Sequence, residues 1–203
     1  MLTHKSLLEA YVYAKDKCCP SLIDDIYEPN AVLSISVAGD AVSFPPLVVG
    51  AQGIAQTLVT DFATRFTECR TYYVCGHPPD QGASISGLPW LVLMRDIQSS
   101  ALRIGRGHYD WSLNRSEEKN WRATEMHIRI DRMDVIEDAT GNLLPTLQEV
   151  LPYPWLSPHL LDSAFSGLAD RNRVFSFLRE FCPGRFGTTA NERAEVGAEP
   201  IRA

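Results

Sequence analysis

Apolar positions in the first stretch of the chain recur with the period of a helix. Leu7, Leu8, Tyr11, Val12, Ala14 and Cys18 fall on one stripe, which predicts a helix over 3–18 that Pro20 ends. Leu22, Ile23 and Ile26 share a face, so a second short helix fits 20–27 with proline in its first turn. Glu28-Pro29-Asn30 reads as a turn. The pattern then alternates: 31–37 predicts a strand, Ala38-Gly39-Asp40 a turn, and 41–46 its hairpin partner. A third helix is expected over 53–66. Beyond it come runs rich in aromatic and β-branched residues at 70–76, 88–97, 102–113 and 121–136, separated by a Pro/Asp/Gly loop at 77–83 and short polar links. Links so short favour antiparallel pairing. Three helices followed by an antiparallel strand meander predict an α+β fold. Helical periodicity returns over 141–182, where Val174, Phe175, Phe177, Leu178 and Phe181 form an apolar face that needs a partner. Residues 183–203 lose all periodicity and read as a flexible tail.

Composition narrows the function classes. The 203 residues suffice for one domain with a real core, and 19 basic against 25 acidic residues leave a net charge of −6. No cluster of Lys and Arg interrupts that balance, so neither nucleic acid nor an anionic membrane is an expected partner. No apolar run approaches the roughly 18 residues of a membrane helix. The opening residues carry charge and helical pattern too early for a signal peptide. Five cysteines (Cys18, Cys19, Cys69, Cys75 and Cys182), an odd number with no C-x-x-C pair, fit a reducing compartment rather than a disulfide framework or zinc site. The expected location is cytoplasmic. No cofactor or metal motif is present; Gly105-x-Gly107 lies mid-strand with no helix after it, and reads as a bend or bulge rather than a phosphate loop.

Three segments carry a family resemblance. Tyr11 through Asp16, followed by Ile26 through Val32, is similar to an opening helix with Tyr five residues before an acidic residue and a Y-x-x-x-A entry to the first strand. Gly50-x-x-Gly-Ile-Ala is similar to the opening of a third helix. Gly107-His108-Tyr109-Asp110-Trp111, then Trp121-Arg122-Ala123, is similar to a terminal strand pair. In order and spacing these resemble the nuclear-transport-factor-2-like (NTF2-like) superfamily in its SnoaL-like branch, whose relatives include ketosteroid isomerase and scytalone dehydratase. The resemblance implies a cone-shaped domain over 1–140, with three N-terminal helices on a strongly curved antiparallel sheet and an apolar pocket, and leaves 141–182 as a helical extension packed on it. It also implies a small-molecule-binding protein, such as a cofactor-free isomerase, dehydratase or cyclase acting on an apolar ring compound. The alternative is a non-catalytic ligand-binding or dimerisation domain, because this fold hosts both.

Tyr11 sits at the centre of the first helical stripe and must point inward; the resemblance gives it the role of hydrogen-bond donor to a substrate oxygen. The isomerase base has no counterpart, since the matching region holds Ser34, Ile35 and Ser36. The densest polar cluster is on the last strand pair. A turn centred near 117 places Tyr109 opposite about 125, so one face gathers Tyr109, Trp111, Ala123, Glu125 and His127. The other gathers Arg106, His108, Asp110, Thr124, Met126 and Ile128, and one residue of slippage mixes the two. The first face is favoured as concave, for its aromatic wall. The expected acid–base pair is therefore His127 with Glu125, or else His108 with Asp110, with Tyr109, Trp111, Tyr73 and Trp90 as ligand walls. Strand 88–97 is apolar on both sides, with Leu91 and Leu93 on one and Trp90, Val92 and Met94 on the other, which predicts a homodimer through the convex face. The extension is expected either as a lid on the pocket or as part of that interface.

Overall fold

A computed structural model describes residues 3–115 and 120–185. The tail expected over 183–203 lies, from residue 186 onward, outside the described residues. Helix α1 (His4–Asp16) begins at a capping box, in which Thr3 accepts from the Ser6 amide and the Ser6 hydroxyl accepts from the Thr3 amide. A short 3-10 turn (Pro20–Leu22) leads into α2 (Ile23–Ile26). Strand β1 runs over Tyr27–Val37, so Glu28-Pro29-Asn30 belongs to the strand rather than to a turn; a bulge between Tyr27 and Val32 absorbs the proline.

The hairpin partner of β1 is also displaced. It is β2 (Leu47–Val49), paired through Val32↔Val49 and Ser34↔Leu47, and residues 41–46 form an irregular strap instead. Pro45 and Pro46 have no amide to give a ladder. The third helix starts earlier than expected, as α3 (Ala51–Ala55), and passes through a π-helical turn (Gln56–Thr60) into α4 (Asp61–Ala63).

Four long strands follow: β3 (Phe66–Val74), β4 (Ser84–Asp96), β5 (Leu102–Arg115) and β6 (Trp121–Ile136). The sheet order is β2-β1-β6-β5-β4-β3-β7, where β7 is Trp155–Leu156. The meander β3–β6 is antiparallel as expected, but β1 joins β6 in parallel and β7 joins β3 in parallel, so the sheet is mixed. A bulge between Arg106 and Gly107 sharpens its bend.

That bulge explains the glycine. A Cβ on Gly107 would lie 1.9 Å from the Arg129 carbonyl oxygen and 2.7 Å from the Trp90 ring. Backbone cannot yield as a flexible side chain can. Gly107→Ala is therefore expected to destabilise the fold by about 1–3 kcal/mol, the usual cost of overpacking. Urea unfolding checks this; an unchanged midpoint would show that the strand pair relaxes freely.

Both faces of β4 over 90–94 are buried within one chain. The concave face packs Trp90, Val92, Met94, Tyr109 and Trp111 against α1–α4. The convex face packs Tyr72, Leu91, Leu93 and Ile104 under α5 (Leu143–Val150), α6 (Pro158–Arg171) and a 3-10 segment (Arg173–Phe181). The surface expected to meet a second copy at Leu91 and Leu93 is thus covered by the helices of the extension, on the opposite side of the sheet from a pocket lid, while its Tyr153 and Trp155 pack against the concave-side core.

Candidate functional site

The helical stripe that buries Tyr11 carries Lys15 one turn later, on the same face. Its ammonium is 2.8 Å from Asp16 Oδ1, with the two side chains 7% and 0% exposed. Strand β3 brings the rest of the cluster. The Thr71 amide donates to Asp16 Oδ2 at 2.6 Å and its hydroxyl to Oδ1 at 2.9 Å. The Cys69 thiol donates to Oδ1 at 3.2 Å, and Tyr153, from the extension, donates to Oδ2 at 3.1 Å. Five donors converge on one carboxylate, counting Lys15, and they occupy its lone pairs. Burial works against the Lys15 ammonium, but Asp16, Cys69 and Tyr11 together offset it, and the Lys15 pKa is pushed up. Burial also pushes the Cys69 thiol up to about 12, which leaves it a poor nucleophile.

Above this cluster the concave face leaves an apolar cavity, bordered by Tyr11, Lys15, Thr71, Trp90 and Tyr109. Phe44, Phe62 and Val42 close its sides. Its envelope is about 500 Å³ and opens to solvent. Trp90 stacks on Tyr109 at 5.5 Å, and Tyr11 meets Tyr109 edge-on at 5.8 Å. The buried Trp90 Nε1 and Tyr11 hydroxyl have no hydrogen bond of good geometry with the protein. The Tyr11 phenol is pushed up to about 12, chiefly by burial, with Lys15 pulling the other way and Tyr109 close enough to contribute.

The other expected site residues separate. Tyr73 and Trp111 face inward but do not border the cavity; the Tyr73 hydroxyl donates to the Leu8 carbonyl at 2.9 Å, and Trp111 packs edge-on against Tyr11. Tyr109 pairs with Ile128 rather than residue 125. A displacement of three is odd, so it exchanges the faces. Tyr109 and Trp111 share the concave side with Met126 and Ile128, while Glu125 and His127 project from the convex side with Asp110 and Ser112. There His127 Nε2 is 2.9 Å from Ser36 Oγ and its Nδ1 is 3.6 Å from Asp110 Oδ2, both side chains being 39% exposed. His108 is buried on the same side with Nδ1 2.7 Å from Asp131 Oδ2. Burial pushes its pKa down against the opposing pull of Asp131. Neither His–carboxylate pair reaches the cavity.

Sequence reasoning missed Lys15, Asp16, Cys69 and Thr71. One signal was legible: a lysine four residues after Tyr11, on an otherwise apolar stripe, must be buried and paired. Its partner's other donors come from β3 and the extension, which no local pattern reveals. Among groups of His, Cys, Asp and Glu in the described residues, none could hold a metal ion. No helix of the described residues is long and apolar enough to cross a membrane.

No family model matches the sequence, and no curated protein matches it. Solved structures do. The hexachlorocyclohexane dehydrochlorinase LinA-type3 of Novosphingobium barchaimii aligns at 12% identity over 65% of this chain and 86% of that one, with a TM-score of 0.53. A LinA structure aligns at 14% identity over the same shares, with a TM-score of 0.54. An NTF2-like superfamily protein of Salmonella enterica aligns at 16% identity over 60% of this chain and 84% of that one, with a TM-score of 0.49. At such identities the likeness concerns the fold alone, an α+β fold with its helices packed on a seven-stranded mixed sheet.

Proposed function

We propose that this chain of NTF2-like fold is a small-molecule-binding protein whose ligand is an apolar ring compound carrying an acceptor oxygen. One observation carries the reading: Tyr11 and Trp90 both line a single apolar cavity, and their buried hydroxyl and Nε1 have no hydrogen bond of good geometry with the protein. A buried polar group left unpaired costs about 1–3 kcal/mol, and a ligand oxygen relieves that cost. The lining supports binding over proton abstraction. No His or carboxylate borders the cavity among the described residues, and the nearby Asp16 already accepts from five donors. A catalytic second reading rests on Lys15. Lys15 lines the cavity, and its ammonium, bonded to Asp16, would stabilise negative charge developing on a substrate oxygen, as an isomerase or dehydratase requires.

The test is a titration with 2-naphthol and naphthalene, followed by quenching of tryptophan fluorescence. The naphthol is expected to bind more tightly than the hydrocarbon. Tyr11→Phe should weaken naphthol binding by about five- to tenfold, the worth of one hydrogen bond, and leave naphthalene unaffected. Folding stability should change by about 1 kcal/mol or less, since Tyr109 is the polar neighbour the hydroxyl would lose. Equal affinity for both compounds in wild type would overturn the reading.

A further inference from the structure

We infer that residues 39–45 form a strap which closes the cavity, and that Phe44 and Val42 at its inner side set the size of ring compound admitted. The inference rests on the binding reading above and concerns access to the same site. Phe44 and Val42 are the two strap side chains on the cavity wall. The cavity they border has an envelope of about 500 Å³, within the roughly 300–1,000 Å³ typical of ligand pockets.

The strap is built to move as a unit. Its ends are tied, by the Ala38 amide to the Ile130 carbonyl at 2.9 Å and by the Ile35 amide to the Pro46 carbonyl at 3.0 Å. Between these ties, no backbone–backbone hydrogen bond involves 39–45 among the described residues. Gly39, at φ +84°, supplies a pivot at one end, and Pro45-Pro46 stiffens the other. Two arginines hold the middle down. Arg103 donates to the Ala41 carbonyl at 2.8 Å. Arg65 donates to the Ser43 carbonyl at 3.3 Å and lies 5.4 Å from the Phe44 ring centre. The strap also borders a solvent-open groove of about 340 Å³, shared with Thr64, Arg65, Asp96 and Arg103. Apolar side chains inward and polar latches outward are the features of a lid that excludes water from an apolar ligand.

Stopped-flow binding of 2-naphthol (two rings) and 9-phenanthrol (three rings) tests this on wild type, Arg65→Ala and Phe44→Ala, with thermal unfolding confirming that each variant is folded. Loosening the latch in Arg65→Ala is expected to raise association rates for both compounds at least fivefold while leaving their affinity ratio unchanged. Phe44→Ala is expected to shift that ratio at least tenfold toward 9-phenanthrol. If wild type binds 2-naphthol but neither variant changes the rates or the ratio, the strap inference is overturned and the pocket reading stands. If none of the three binds either compound, the pocket reading fails and the strap inference with it.

Discussion

Ending the chain after residue 140 should yield a protein that no longer folds in soluble form. The extension contributes Leu144, Leu147, Leu161, Phe165, Leu178 and Phe181, all buried, to the convex-face core. Each such side chain is worth about 1.5–3 kcal/mol of burial, against a total stability on the order of 5–15 kcal/mol for a domain. Removing the segment also bares Tyr72, Leu91, Leu93, Leu102 and Ile104 as one contiguous apolar sheet face, which invites aggregation. A milder form of the same test is Phe165→Ala. That change should cost about 3–5 kcal/mol and lower the thermal midpoint by roughly 6–20 °C in a chain of this size. Scanning calorimetry reads the second, and expression followed by size-exclusion chromatography reads the first. A soluble truncated protein with native cooperativity would sink the claim. A soluble truncated dimer would show that a second copy can cover the face in place of the extension.

The second large effect is expected at Asp16. Asp16→Ala leaves the Lys15 ammonium buried without its partner and strips acceptors from the Thr71 amide and the Tyr153 hydroxyl. Breaking a buried pair from one side typically costs about 3–5 kcal/mol. Lys15→Met combined with Asp16→Leu should recover part of that loss, because no unpaired charge remains. The pH dependence has a definite sign. Lys15 has its pKa raised above the unfolded value of about 10.4, so its contribution is fully present below that pH and is lost only as pH rises through the folded value. The stability gap between wild type and Asp16→Ala should therefore persist through neutral pH and narrow on the alkaline side. Urea midpoints between pH 6 and 11 measure it, and a gap under about 1 kcal/mol at pH 7 would show that the cluster relaxes around the loss.

The order of elements and the inward position of Tyr11 were legible in the sequence because both rest on local periodicity. A 3.6-residue stripe or a period-2 run buries its apolar side whatever it meets, so α1, the β3–β6 meander and its antiparallel links followed directly. The need of the 141–182 segment for a partner was equally plain from its apolar face. Only the tertiary structure decided which partner. The extension took the convex side because β4 is apolar on both faces and the concave side was already filled by α1–α4. Register was likewise beyond the sequence. Bulges at Arg106/Gly107 and Ser112/Leu113 shift the pairing, and an odd displacement moved Glu125 and His127 away from Tyr109. The Lys15–Asp16 cluster was hidden for the same reason: its carboxylate gathers donors from α1, β3 and the extension, up to 137 residues apart in the chain. Local pattern states which face of an element is buried, but which polar groups meet there depends on long-range register and packing that no single segment encodes.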